Sequence, residues 1–320
     1  MLGIDLGGTK TEAVLLDGEG RVVWRERVAT PADDYAQTLA MLVALVQRGR
    51  AAASGTPSIG IGTPGTVAAD GRMKNCNSQC LNGEYLQRDL QAALGQAVAV
   101  ANDANCLALS EATDGAGAGH GVVFAAILGT GVGAGIAVHG RVLTGPNGVA
   151  GEWGHNPLPW RTGGDPMWSC YCGQQGCIET LVSGPGMARD HHELAQPRDA
   201  GAATTERARP ATLSAQQIAE AAAHGDAACV ATLERHAARL ARALAGIINV
   251  LDPDVIVLGG GLSRMPHLYE RVPLLWQPWV VSGGVRERVR TLLKASKHGD
   301  ASGVRGAAWL GRGTPLAVAR

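Results

Sequence analysis

MLGIDLGGTKTEAVLLDGEG, residues 1–20, decides the fold, because its pattern returns at residues 122–140 as VVFAAILGTGVGAGIAVHG. In the first copy Leu2–Asp5 and Thr11–Asp17 read as strands joined through a glycine turn that carries Thr9. In the second, a strand from Val122 enters LGTGVGAG, with Thr130 in the turn and a return strand at Ile136–Val138. Gly7 to Gly18 and Gly129 to Gly140 are each separated by eleven steps. A repeated β-hairpin followed each time by α/β units predicts a duplicated α/β protein with a cleft between the copies.

The rest of the chain fits that plan. Arg21–Thr30 reads as a third strand, Ile59–Ile61 and Ala97–Ala101 as short buried ones, and Asp33–Ser54 and Ala104–Thr113 as helices. Asp226–Leu251 is the longest predicted helix, with Val230, Leu233, Leu240, Leu244, Ile247, Ile248 and Leu251 on one face, although Arg242 interrupts it. Val255–Leu258 reads as a buried strand, and Ser302–Leu310 as a last helix that packs back on the N-terminal half. The expected domains are 1–112, completed by the C-terminal helix at about 300–320, and 113–299. Only Ala200–Ala211 reads as an exposed, poorly specified loop.

Composition excludes several functions. With 28 basic and 28 acidic residues in 320, the chain has no basic footprint for nucleic acid and no polybasic segment for a membrane surface. Apolar runs such as Val122–Leu128 fall far short of the roughly 20 residues that span a bilayer. The chain enters MLGIDLGGTK without a signal-peptide pattern, so a cytoplasmic protein with reduced cysteines is expected. Of the seven cysteines, Cys76, Cys80, Cys106 and Cys229 are assigned no role.

The other three cysteines lie in GEWGHNPLPWRTGGDPMWSCYCGQQGCIE, residues 151–179. His155, Cys170, Cys172 and Cys177 are the soft and borderline donors of a tetrahedral structural zinc; disulfides or scattered buried thiols are the plainer alternative. Four protein ligands leave no open position, so the metal would be structural rather than hydrolytic. Glu152 and Glu179 stand just outside the two ends of the cluster.

The glycine turns are weaker signals individually. GIDLGGTKT is neither a P-loop nor a dinucleotide loop, but Gly7, Gly8 and Thr9 can cradle phosphate oxygens, and Asp5 can hold the hydration shell of magnesium. A plain hairpin is the alternative. LGTGVGAG has the same chemistry, and Gly259-Gly260-Gly261 follows a strand, where adenosine can approach the backbone closely. Gly60, Gly62 and Gly65 form a G-x-G-x-x-G, but it leads into a turn rather than a helix, which rejects a dehydrogenase and leaves Thr63–Thr66 as a substrate-side loop. Asp103 follows a buried strand and opens a helix, where it is either an N-cap or a base in the cleft.

Taken in order, GIDLGGTK, GTPG, ANDAN, GTGVGAG, GEWGH, CYCGQQGCIE and LDPDVIVLGGG resemble the ROK family of bacterial sugar kinases and repressors, within the actin/hexokinase-type ATPase fold. GEWGHNPLPW, CYCGQQGCIET and KHGDASGVRGAAWL look most similar to its manno(fructo)kinases. The resemblance implies two α/β domains flanking a cleft, with ATP, Mg2+ and structural Zn2+, and transfer of phosphate to a hexose, fructose or also mannose. N-acetylglucosamine or glucose is the alternative acceptor.

It further implies Asp103 as general base, and Gly65, Asn77, Asn102, Asp103, Glu152, His155 and Glu179 around the sugar. His155 would hold zinc through one nitrogen and sugar through the other. Gly3, Ile4, Asp5, Leu6, Gly7, Gly8, Thr9 and Lys10 would face Gly129, Thr130, Gly131, Val132, Gly133, Ala134, Gly135 and Ile136 across the ATP phosphates, with Gly259, Gly260 and Gly261 at the adenosine. A homodimer is also implied. A repressor would need a helix-turn-helix segment ahead of the first glycine turn, and the first strand begins at Leu2, so a kinase is expected.

Overall fold

The computed structural model describes residues 1–194, 213–282 and 287–312. The loop expected at 200–211, and any part of the last helix beyond 312, lie outside them.

The first half runs β1 (Leu2–Leu6), β2 (Lys10–Leu16), β3 (Val22–Ala29), α1 (Tyr35–Ala51), β4 (Ile59–Thr63), a ribbon of β5 (Thr66–Val67) and β6 (Met73–Lys74), α2 (Leu86–Leu94), β7 (Val98–Asn102) and α3 (Asp103–Thr113). The second runs β8 (Val122–Leu128), β9 (Val132–Val138), β10 (Arg141–Val142), α4 (Ile178–Val182), α5 (Gly184–Leu194), α6 (Ala215–Ala223), α7 (Ala227–Leu251), β11 (Val255–Gly259), α8 (Pro266–Leu275), β12 (Leu292–Ala295) and α9 (Ser302–Arg312). Among the described residues no helix is long and apolar enough to cross a membrane.

Two five-stranded sheets form, ordered β3-β2-β1-β4-β7 and β10-β9-β8-β11-β12. The order is the same in both once the ribbon is set aside: three antiparallel strands, then two added in parallel beside the first. The repeat read from the two glycine turns is therefore a repeat of the whole sheet. β9 starts at Val132, earlier than the sequence suggests, so the second turn is only Gly129–Gly131. The row of small residues Val132–Val138 pairs strand-wise with β8 over its full length.

The halves are interlocked by exchanged helices. α3 leaves the first sheet yet packs on β8 and β9 of the second, while α9 leaves the second and packs on β1 and β4 of the first. Glycines make these approaches possible: a Cβ at Gly60 would stand 1.9 Å from the Ala307 carbonyl oxygen, and one at Gly306 only 1.7 Å from that of Cys106. The expected return of the last helix to the N-terminal half is thus observed, together with a reciprocal crossing by α3. Glu111, wholly buried near the end of α3, accepts hydrogen bonds from Ser296 Oγ at 2.7 Å and Ser302 Oγ at 2.8 Å. One carboxylate thereby ties together both places where the chain passes between the halves.

α7 forms as expected, capped by Asp226, whose side chain accepts the Cys229 N–H at 2.9 Å. Two details differ. Val230 is 43 % exposed rather than on the buried face, and Arg242 is inside the protein, paired with Asp165 at 2.7 Å. Arg239 joins the same network through Asp165 and Asp190, at 3.0 and 2.6 Å. Burial alone would raise the Asp165 carboxyl, but its bonds to Arg242, the Thr162 N–H and Arg239 hold it well below the ordinary range. The network fastens α7 and α5 to the loop that carries the cysteine cluster.

Candidate functional site

The parallel register places the chemistry at one edge of each sheet. Asp5 lies beside Gly62, and Thr63 beside Asn102, so the Gly7–Thr9 turn, the Thr63–Gly65 segment and Asp103 all stand at the carboxyl ends of neighbouring strands. In the second sheet Gly259 lies beside Ile127, which brings the Gly129–Gly131 turn next to Gly260 and Gly261. Ligands of open parallel sheets bind at such ends, because loops and helix starts leave backbone N–H groups free there.

Asp103 is the first residue of α3, and the N-cap is its neighbour: Asn102 Oδ1 accepts the Asn105 N–H at 2.8 Å. The capping role weighed for Asp103 thus falls to Asn102. Asp103 Oδ1 accepts the Ala104 N–H at 2.8 Å. Asp103 is exposed; the protein around it raises its pKa, and the negative charge of Glu152 raises it further. Asp5 is pushed up to about 6, first by burial and then by the charges of Asp103 and Glu12. These influences bring Asp5, Asp103 and Glu152, from both halves, into one electrostatic neighbourhood.

The cysteine cluster is assembled. Donor atoms of His155, Cys170, Cys172 and Cys177 all lie within 4.8 Å of one another. A tetrahedron with arms of about 2.0–2.3 Å has edges of roughly 3.5–3.8 Å. The Cys172–Cys177 sulfur separation is 3.7 Å, and Cys170 Sγ lies 3.5 Å from His155 Nδ1. The donor set fits a metal of zinc's size. Burial first, and then the neighbouring sulfurs of Cys172 and Cys170, push the Cys177 thiol up to about 12.

The loop positions its flanking acids differently from one another. Glu152 is exposed at the head of a single helical turn, Trp153–His155. Glu179, two residues after Cys177, turns one oxygen to the Val132 N–H at 2.9 Å, binding α4 to the start of β9. One of its oxygens is therefore committed to protein. His155 Nε2 meets the Tyr171 hydroxyl at 3.0 Å, so the nitrogen expected to face the sugar already has a partner. Gly65, at φ 105°, lies against Lys74 and Cys76, in the ribbon that leads to the exposed Asn77.

Residues expected around ATP divide into two sets. Gly7, Gly8, Thr9, Lys10, Gly129, Thr130, Gly131, Gly260 and Gly261 are in turns or at strand ends and reach solvent. Gly3, Ile4, Leu6, Gly133, Ala134, Gly135, Ile136 and Gly259 are strand residues; a Cβ at Gly3 would meet the Val304 carbonyl at 2.3 Å, and one at Gly135 that of Ala104 at 2.2 Å. Those two glycines admit helices. Val132 sits at the boundary, its N–H taken by Glu179.

Sequence reasoning missed two features of the cleft. Tyr171 is 81 % exposed beside His155, and its place between two metal-type cysteines was the available signal. Lys74 donates from the ribbon to the Asn147 carbonyl at 2.9 Å, spanning the two halves; nothing in its local sequence marks it.

Residues 1–313 match the ROK family. An N-acetyl-D-glucosamine kinase of Erwinia tasmaniensis is 39 % identical over 323 aligned residues, covering 96 % of this chain and 98 % of that one. Among solved structures, a ROK hexokinase from Thermus thermophilus superposes with a TM-score of 0.81 at 28 % identity, covering 97 % of each chain. A ROK family glucokinase from Streptomyces griseus, in complex with glucose and AMPPNP, gives 0.73 at 29 % identity over 98 % of this chain and 99 % of that one. With the repeated sheets, the glycine turns and the Cys3His cluster already in place, these matches show that the chain belongs to the ROK family and stands among its sugar kinases.

Proposed function

We propose that this ATP-dependent sugar kinase phosphorylates an N-acetylhexosamine, N-acetylglucosamine foremost, in place of the fructose expected from the sequence. The observation that carries this reading is the 39 % identity with an N-acetyl-D-glucosamine kinase along nearly the full length of both chains. Glucose is the second reading, favoured by the likeness to a glucokinase that holds it.

In this account two lobes, 1–112 with the C-terminal helix and 113–299, enclose the substrates. The exposed residues of the Gly7–Lys10 and Gly129–Gly131 turns grip the triphosphate, and Gly260 and Gly261 line the adenosine. Asp103 accepts the proton of the sugar hydroxyl as its oxygen attacks the γ-phosphorus and the bond to the β-phosphate oxygen breaks. Its raised pKa makes the carboxylate a stronger base toward that proton. Asn102, Glu152, His155, Asn77, Gly65 and the uncommitted oxygen of Glu179 orient the ring. Asp5 would hold the hydration shell of magnesium, which would supply positive charge to the phosphates. His155, Cys170, Cys172 and Cys177 would hold zinc, which would fix the sugar-side loop, so elemental analysis should find one zinc per chain; fully active protein without metal would contradict the assignment.

Asp103→Asn tests the mechanism. Phosphoryl transfer should fall about 10²- to 10⁴-fold while calorimetric sugar binding is retained. Activity within about tenfold of the parent would remove Asp103 as the base.

A further inference from the structure

We propose that Tyr171 is a built-in stand-in for substrate: in the sugar-free protein its hydroxyl occupies the hydrogen-bonding position on His155 that a sugar hydroxyl needs, and it must leave when the sugar binds. The inference rests on the reading of this cleft as a hexose site.

Three observations carry it. His155 presents Nδ1 to the cluster, 3.5 Å from Cys170 Sγ, and Nε2 to the Tyr171 hydroxyl at 3.0 Å. The Tyr171 ring stands edge-on to the imidazole, with centroids 5.0 Å apart and planes at 87°. The tyrosine is nevertheless 81 % exposed, so little packing holds it there.

An imidazole that gives Nδ1 to a metal carries its proton on Nε2, which makes Nε2–H a single donor. That donor is spent on the Tyr171 oxygen. A sugar hydroxyl that accepts from the same N–H has to displace the phenol. Cys170 and Cys172 anchor the backbone on either side of Tyr171, so displacement is a swing of the side chain into solvent rather than a movement of the loop. The exchange trades one hydrogen bond for another, and the bond given up is subtracted from the affinity for sugar.

The sign of one substitution separates this role from the obvious alternative, that Tyr171 is itself a sugar ligand. Tyr171→Phe keeps the ring beside His155 and deletes only the competing oxygen. Zinc-loaded parent and variant should be titrated calorimetrically, without ATP, with N-acetylglucosamine and with glucose. The variant should bind whichever sugar the parent binds about fivefold more tightly, at unchanged zinc content. A merely structural role for Tyr171 would not tighten binding when it is cut back. Equal or weaker binding by the variant overturns the proposal. A parent that takes glucose but not N-acetylglucosamine overturns the acceptor proposed above while glucose still decides the role of Tyr171. Binding of neither sugar overturns both.

Discussion

Asp5 lies near the end of β1 and Asp103 follows β7, with β4 between them, and the charge of Asp103 makes ionisation of Asp5 harder. Asp5 titrates at about 6, compared with an ordinary value of 3.8, chiefly because it is buried. A carboxyl whose folded pKa is raised contributes stability that is complete below its unfolded pKa and is lost as pH rises through its folded pKa. For Asp5 that window runs from 3.8 to about 6. Asp5→Asn should therefore gain stability relative to the parent as pH rises through this window, by on the order of 2 kcal/mol in nucleotide-free protein. Urea denaturation on both sides of the window measures it. A parent–variant difference independent of pH would show that Asp5 ionises there without cost.

At the scale of elements, the exchange of α3 and α9 is the feature on which the cleft depends. Each helix rests on the other half's sheet, and they cross where Gly306 meets Cys106. Gly306→Ala places a methyl 1.7 Å from a backbone carbonyl, which cannot rotate away. It should destabilise the protein by at least about 2 kcal/mol in chemical denaturation; a loss below about 0.5 kcal/mol would mean that the helices slide apart freely.

Elements differed in how plainly the sequence announced them. The two hairpins were legible because apolar strands flank short glycine turns, and α7 because its apolar face is long. The cysteine cluster was legible because its ligands are bounded by the loop they close. The purposes of Gly3 and Gly135 were not: a glycine that admits a helix looks the same as one that admits a phosphate. α8 carries Pro273 inside it, and β12 is a four-residue edge strand, so neither shows a clean period. Arg242 read as an interruption of α7, because its partner Asp165 is 77 residues away. The contact between His155 and Tyr171 depends on how the loop closes, which spacing does not specify.

For the whole molecule, two equivalent sheets joined by exchanged helices bring residues of different halves together: Lys74 touches Asn147, and Asp103 feels the charge of Glu152. That arrangement supports transfer of phosphate to a sugar, and motif chemistry carried the reading to that point. It did not carry it to the acceptor, because hexoses and their N-acetyl derivatives differ by one substituent that meets side chains rather than motifs. The most direct test is a coupled ATP assay with N-acetylglucosamine, glucose, mannose and fructose under one set of conditions. The kcat/KM for N-acetylglucosamine should be at least about tenfold above that for fructose, a preference of roughly 1.4 kcal/mol in transition-state binding. Fructose as the best acceptor would contradict it.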